Sequence, residues 1–129
     1  PWNLLCAFSA FWTGLLYCPD CLDAAWQRVK GWSSAERETI RQAVRVLGLR
    51  TPLPGGQTLQ DLAKEMLDLS RQGLRNRNML SVAGDDETGF LHDLDEIVAS
   101  GLTPAEKLLQ RYHGAWNGDI RRVFEECAY

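Results

Sequence analysis

The chain has 129 residues, of which 45% are hydrophobic and 24% charged. That is enough for one domain with its own core and too little for two comfortable ones. A formal net charge of −3 argues against a nucleic-acid binder, which needs surplus Lys and Arg to neutralise phosphates.

The chain opens PWNLLCAFSAFWTGLLYCPD, with no charged side chain from Pro1 to Pro19. A secretory signal would need a basic leading region and a small-residue cleavage site, and neither is present. A membrane span needs about 20 apolar residues. Trp2 to Tyr17 is shorter and carries Asn3, Ser9, Thr13 and Gly14, so no membrane is expected. Leu4, Phe8, Phe11 and Leu15 fall on one helical face, with Leu5, Trp12 and Leu16 beside or across from it. A helix that is apolar all round is a buried one. Burying every face is difficult in a domain this small, so the run calls for another layer of protein to cover it.

Downstream the sequence reads as helices. Pro19 and Asp20 start one whose apolar stripe is Leu22, Ala25, Trp26 and Val29, with Gly31 ending it. Ser33 and Glu36 form a capping box for a second, with Ile40, Ala43, Val44 and Leu47 as its stripe and Gly48 as its stop. LRTPLPGGQ is the clearest loop. Thr58 caps the best amphipathic helix, with Asp61 in its first turn and apolar Leu59, Leu62, Ala63, Met66 and Leu67. Lys64 and Asp68 should pair on its exposed face. Asp86 is the expected cap of a helix through Phe90, Leu94, Ile97 and Val98, ended by Gly101. Thr103, Pro104, Glu106 and Gly114 mark the start and end of another. A last short helix should begin at Asp119 and use Ile120, Val123 and Phe124. No stretch alternates with period two for long enough to be a strand. The expected class is all-α, with six or seven helices in one unit over residues 1–129.

Cys18-Pro-Asp-Cys21 has the spacing of a redox dithiol at a helix start, yet the βαβ context of a thioredoxin-like site is absent. A zinc site would need two more ligands at paired spacing. Mostly free thiols in a cytosolic protein are the default for the four cysteines, and Cys6, Cys18 and Cys21 are the candidate redox residues. His92 and His113 stand alone and read as structural. Asp85, Asp86, Glu87, Asp93, Asp95 and Glu96 point around a helix, which suits a solvated face better than a Mg²⁺ site. Arg71, Arg75 and Arg77 suit a helix C-terminus and nearby acids. No metal ligands, no phosphate-binding glycine loop and no catalytic residues are assigned.

Several strings together resemble the C-terminal end of glutamate–cysteine ligase of the plant and proteobacterial type. They are LLCAFSAFWTGLLY (Leu4–Tyr17), GLRTP (Gly48–Pro52), GLTPAEKLLQRYHGAWNG (Gly101–Gly118) and VFEECAY (Val123–Tyr129). The resemblance covers nearly the whole chain and is most specific from Gly101 onward. It implies ATP- and Mg²⁺-dependent joining of glutamate to cysteine, the first step of glutathione biosynthesis, through a γ-glutamyl phosphate. It also implies a glutamine synthetase-like fold, whose antiparallel sheet holds nucleotide and metals and lies upstream of this segment. The chain would then be a helical part that is inactive alone. Its partner would be the N-terminal catalytic region or a second copy of itself. Its compartment would be cytoplasmic, or the plastid for a plant source. The resemblance further implies that Tyr129 is the natural C-terminus and Pro1 an artificial end. Cys6 falls where plant members have a cysteine able to form a regulatory disulfide with an upstream partner. Phe8-Ser9, Cys18 and Cys127 depart from the usual pattern, and Cys18, Cys21 and Cys127 inherit no family role. Trp12 and Tyr17 could approach the active site, although core packing is the plainer reading for aromatics on a buried helix. The alternative is a stand-alone helical interaction module without catalysis.

Overall fold

The computed structural model describes residues 2–128; the two expected chain ends, Pro1 and Tyr129, lie outside them. Seven α-helices form among these residues: α1 (Trp2–Leu16), α2 (Pro19–Val29), α3 (Ser34–Leu47), α4 (Leu59–Arg77), α5 (His92–Ser100), α6 (Pro104–His113) and α7 (Ile120–Cys127). Short 3-10 turns at Gly48–Arg50 and Glu87–Leu91 lead out of α3 and into α5. Among the described residues, pairing of strand type is limited to two isolated bridges, Pro52 with Thr58 and Leu80 with Asp86. The all-α expectation holds.

The helix boundaries follow from caps. Ser33 accepts the Glu36 N–H at 3.2 Å, and the Glu36 carboxylate accepts the Ser33 N–H at 2.7 Å. Thr58 and Asp61 make the same reciprocal pair on α4, as do Thr103 and Glu106 on α6. Each box satisfies two backbone donors that a helix start leaves unpaired. At the far ends, Asn78 and Gly101 adopt left-handed conformations with φ of 51° and 68°, closing α4 and α5. Glu106 also reaches out of its own helix. Its second oxygen accepts the Arg50 guanidinium at 2.8 Å, tying the start of α6 to the turn after α3.

These hydrogen bonds hold the Glu36, Asp61 and Glu106 carboxyls below the usual carboxylate range. The main causes are the Ser33 and Thr103 backbone N–H groups for the two glutamates and the Thr58 hydroxyl for Asp61. A depressed carboxyl adds stability that is complete above its unfolded pKa, about 4, and is lost as pH falls through the lower folded value. We therefore expect the urea midpoint to be flat near neutrality and to fall as pH drops below about 4. The triple variant Ser33→Ala, Thr58→Ala, Thr103→Ala should lose part of that acid dependence.

The core sits where α1 lies across α4. Ala10, Leu67, Leu74, Leu91 and Val98 form it, with Phe11, Ala63 and Leu94 packed against them. The crossing is very close. A Cβ placed on Gly73 would come within 1.8 Å of the Gly14 carbonyl oxygen, and one on Gly14 within 2.2 Å of the Ser70 carbonyl oxygen. The buried Ser70 hydroxyl donates to the Phe11 carbonyl at 2.9 Å, so its one polar group is satisfied. α5 is fixed to α4 by the Gln60 amide, which donates to the Val98 carbonyl at 2.6 Å, and by Arg71, which grips both oxygens of Asp95 at 2.6 and 2.7 Å.

Several expected faces shift. α1 buries Ala7, Ala10, Gly14 and Leu15, while Phe8 is half exposed. The small residues lie inside because only they allow the close crossing. α2 buries Cys21, and Leu22 and Trp26 face out. Leu91 is fully buried whereas Phe90 is 55% exposed, because the turn there is 3-10 with three residues per turn, which changes the phase of the stripe. Asp68 pairs with Arg71 at 2.8 Å rather than with Lys64.

Candidate functional site

α1 has two opposed faces. One carries the small residues that meet α4. The other carries Trp2, Leu5, Phe8, Trp12 and Leu16, with Tyr17 just beyond the helix end, and all six are substantially exposed. Leu5, Phe8, Trp12 and Leu16 recur at i, i+3, i+7 and i+11, so they form one continuous stripe. Trp12 is 52% exposed and Tyr17 is 70% exposed. Neither belongs to the core formed by the described residues. The chain's own helices wrap one side of α1 and leave the other open.

Other apolar stripes are also uncovered. α3 and α7 bury no residue fully, and Phe124 on α7 is 71% exposed. An apolar groove of about 280 Å³ runs beside the core between Phe8, Leu49, Leu62, Met66 and Ile97. No single helix among the described residues is long and apolar enough to cross a membrane.

The charged candidates are engaged with one another. Arg77 meets Glu87 at 3.2 Å and lies over the Tyr17 ring at 5.2 Å from its centre. This holds the end of α1 near the end of α4. Asp86 caps the 3-10 turn, accepting the Thr88 N–H at 3.0 Å. That contact and the Thr88 hydroxyl, the larger cause, hold its carboxyl below the usual range. His92 faces Glu96 at 3.3 Å on the surface, and His113 stands edge-on to Tyr112 at the end of α6. Arg71 is shared by Asp68 and Asp95. Among the described residues no three His, Cys, Asp or Glu side chains converge as metal ligands.

Among the redox candidates, Cys6 is exposed and free on α1, as is Cys127 at the end of α7. Cys18 and Cys21 are buried and joined as a disulfide, with Cα atoms 5.2 Å apart. Here the structure departs from the free-thiol default. The i, i+3 spacing across a helix start brings the two sulfurs together, and Pro19 at the first helical position fixes the turn between them.

The fold is thus an all-α unit with an open apolar face on α1. The comparisons give its family. The family model of glutamate-cysteine ligase family 2 matches residues 1–126. Over all 129 residues the chain is 46% identical to the chloroplastic glutamate–cysteine ligase of Arabidopsis thaliana, covering 23% of that protein. It is 43% identical to the chloroplastic glutamate–cysteine ligase A of Oryza sativa subsp. indica, covering 25% of it, and 42% identical to the enzyme of Nicotiana tabacum, covering 23%. The chain belongs to the glutamate–cysteine ligase family, and it spans about a quarter of the length of the curated relatives it matches.

Proposed function

We propose that this chain is the helical part of a glutamate–cysteine ligase that forms γ-glutamylcysteine with ATP and Mg²⁺, the chemistry being carried by the rest of the enzyme. In this reading the outer face of α1 seats on that remaining part. The observation that carries it is the open stripe of Leu5, Phe8, Trp12 and Leu16 on a chain that matches only a quarter of each relative. Full burial of a large apolar side chain is worth about 1.5–3 kcal/mol, so covering four half-exposed ones favours docking by several times RT. A plastid location, for a plant source, belongs to the same reading; the relatives are named as chloroplastic.

The test is phosphate release from ATP with glutamate, cysteine and Mg²⁺. We expect none from the 129-residue chain and restored turnover when it is joined to, or mixed with, the preceding part of the enzyme. Turnover by the chain alone would contradict the division of labour. No turnover in the joined protein would contradict the ligase.

A further inference from the structure

α1 and α2 meet at 97°, and the bridge between Cys18 and Cys21 lies at that corner. Cys18 is the N-cap of α2. Its sulfur accepts the Cys21 backbone N–H at 3.4 Å and the Asn76 side-chain amide, reaching across from α4, at 3.7 Å. The unpaired N–H groups of a helix start give that position a partial positive charge. Both features favour negative charge on the Cys18 sulfur. They therefore favour the reduced pair, in which a thiolate can exist, over the bridged one. A bridge between residues three apart also constrains the unfolded chain little, since that effect grows with the length of the closed loop. The arrangement is poorly suited to a structural staple and well suited to one that opens.

We propose that Cys18 and Cys21 form a thiol–disulfide exchange site whose reaction partners are dithiols. A thiolate of the dithiol attacks Cys18, the less deeply buried of the two at 6% against 1% exposure. The bond between the two cysteines breaks, a mixed disulfide forms, and Cys21 leaves as thiolate and takes up a proton. The second thiolate of the dithiol then attacks its own sulfur in the mixed disulfide. Cys18 departs as a thiolate held by the Cys21 N–H and the Asn76 amide. Two electrons and one proton pass to the pair, the dithiol becomes a disulfide, and its other proton goes to solvent. The site lies wholly within this chain and does not rest on the ligase reading.

The test is to equilibrate the folded chain with mixtures of reduced and oxidised dithiothreitol, quench in acid, denature, alkylate and read the labels by mass spectrometry. No Lys or Arg precedes Arg28, so trypsin keeps Cys6, Cys18 and Cys21 in one peptide, and fragment ions separate them. With oxidised reagent, only Cys6 and Cys127 should be labelled. As reductant rises, Cys18 and Cys21 should gain label together. Asn76→Ala, at an exposed position, should raise the reductant ratio at the midpoint by about fivefold, the worth of one ordinary hydrogen bond. Cys18→Ser keeps a capping oxygen and should leave Cys21 labelled throughout. Label on Cys18 and Cys21 under the oxidised reagent would overturn the proposal. So would a pair that resists native reduction and opens only after denaturation, an unmoved midpoint in Asn76→Ala, or a transition that survives in Cys18→Ser.

Discussion

Gly73→Ala should destabilise the chain by about 2 kcal/mol. The added Cβ would stand 1.8 Å from the Gly14 carbonyl oxygen, and both are tied to helical backbone, so no side-chain rotation relieves the clash. α1 and α4 must separate instead. That strips contact from Ala10, Leu67 and Leu74, which form the core at this crossing, and lengthens the hydrogen bond from Ser70 to Phe11. Overpacking of this kind costs about 3 kcal/mol at the upper end of its usual range. Ala in place of Gly in a helix interior returns about 1 kcal/mol, which leaves the net loss. Gly31→Ala is the control. Nothing lies within 4 Å of the added carbon there, and the change should stay within about 0.5 kcal/mol. Urea titrations of the two variants check both values. Equal midpoints for Gly73→Ala and the parent chain would mean that the helices do not meet as closely as described.

Leu5→Glu should separate two properties of the molecule. In the 129-residue chain Leu5 is 62% exposed, so the substitution should alter stability by no more than about 0.5 kcal/mol. In the complete ligase the same carboxylate would be forced into an apolar contact without a partner. An uncompensated buried charge costs several kcal/mol, so turnover should fall on the order of a hundredfold, through loss of docking rather than of chemistry. Leu5→Met, which keeps size and apolarity, should retain activity. Equal activity of the Glu variant and the parent would remove the outer face of α1 from the interface.

What the sequence made legible was local. The capping pairs Ser33 with Glu36 and Thr103 with Glu106 lie three residues apart, so their geometry depends on nothing distant, and they placed α3 and α6 correctly. The uncharged opening announced a helix. Of its expected face, Leu15 is buried and Phe11 packs on the core, while Phe8 is half exposed and the close approach to α4 is made at Ala10 and Gly14. A glycine's value in a close crossing depends on the other helix having Ser70 and Gly73 opposite, a fact about two segments some sixty residues apart. Likewise Trp26 and Leu22 look like a core stripe on α2 until the neighbouring helices show which side they occupy. The spacing of Cys18 and Cys21 permitted a bridge, but permission from spacing does not distinguish a dithiol from a disulfide. Of the acidic group from Asp85 to Glu96, expected as a solvated face with a capped start, Asp86 caps the 3-10 turn and Glu87, Asp95 and Glu96 meet Arg77, Arg71 and His92.

In the proposed reading the outer side of the first helix seats on the rest of the enzyme. Hydroxyl-radical footprinting measures this directly, by oxidation of Trp2, Leu5, Trp12 and Tyr17 in the 129-residue chain and in the complete ligase. Heavy oxidation of all four is expected in the short chain, and in the complete enzyme a fall to the level of the buried Leu91. Equal oxidation in both would contradict that reading.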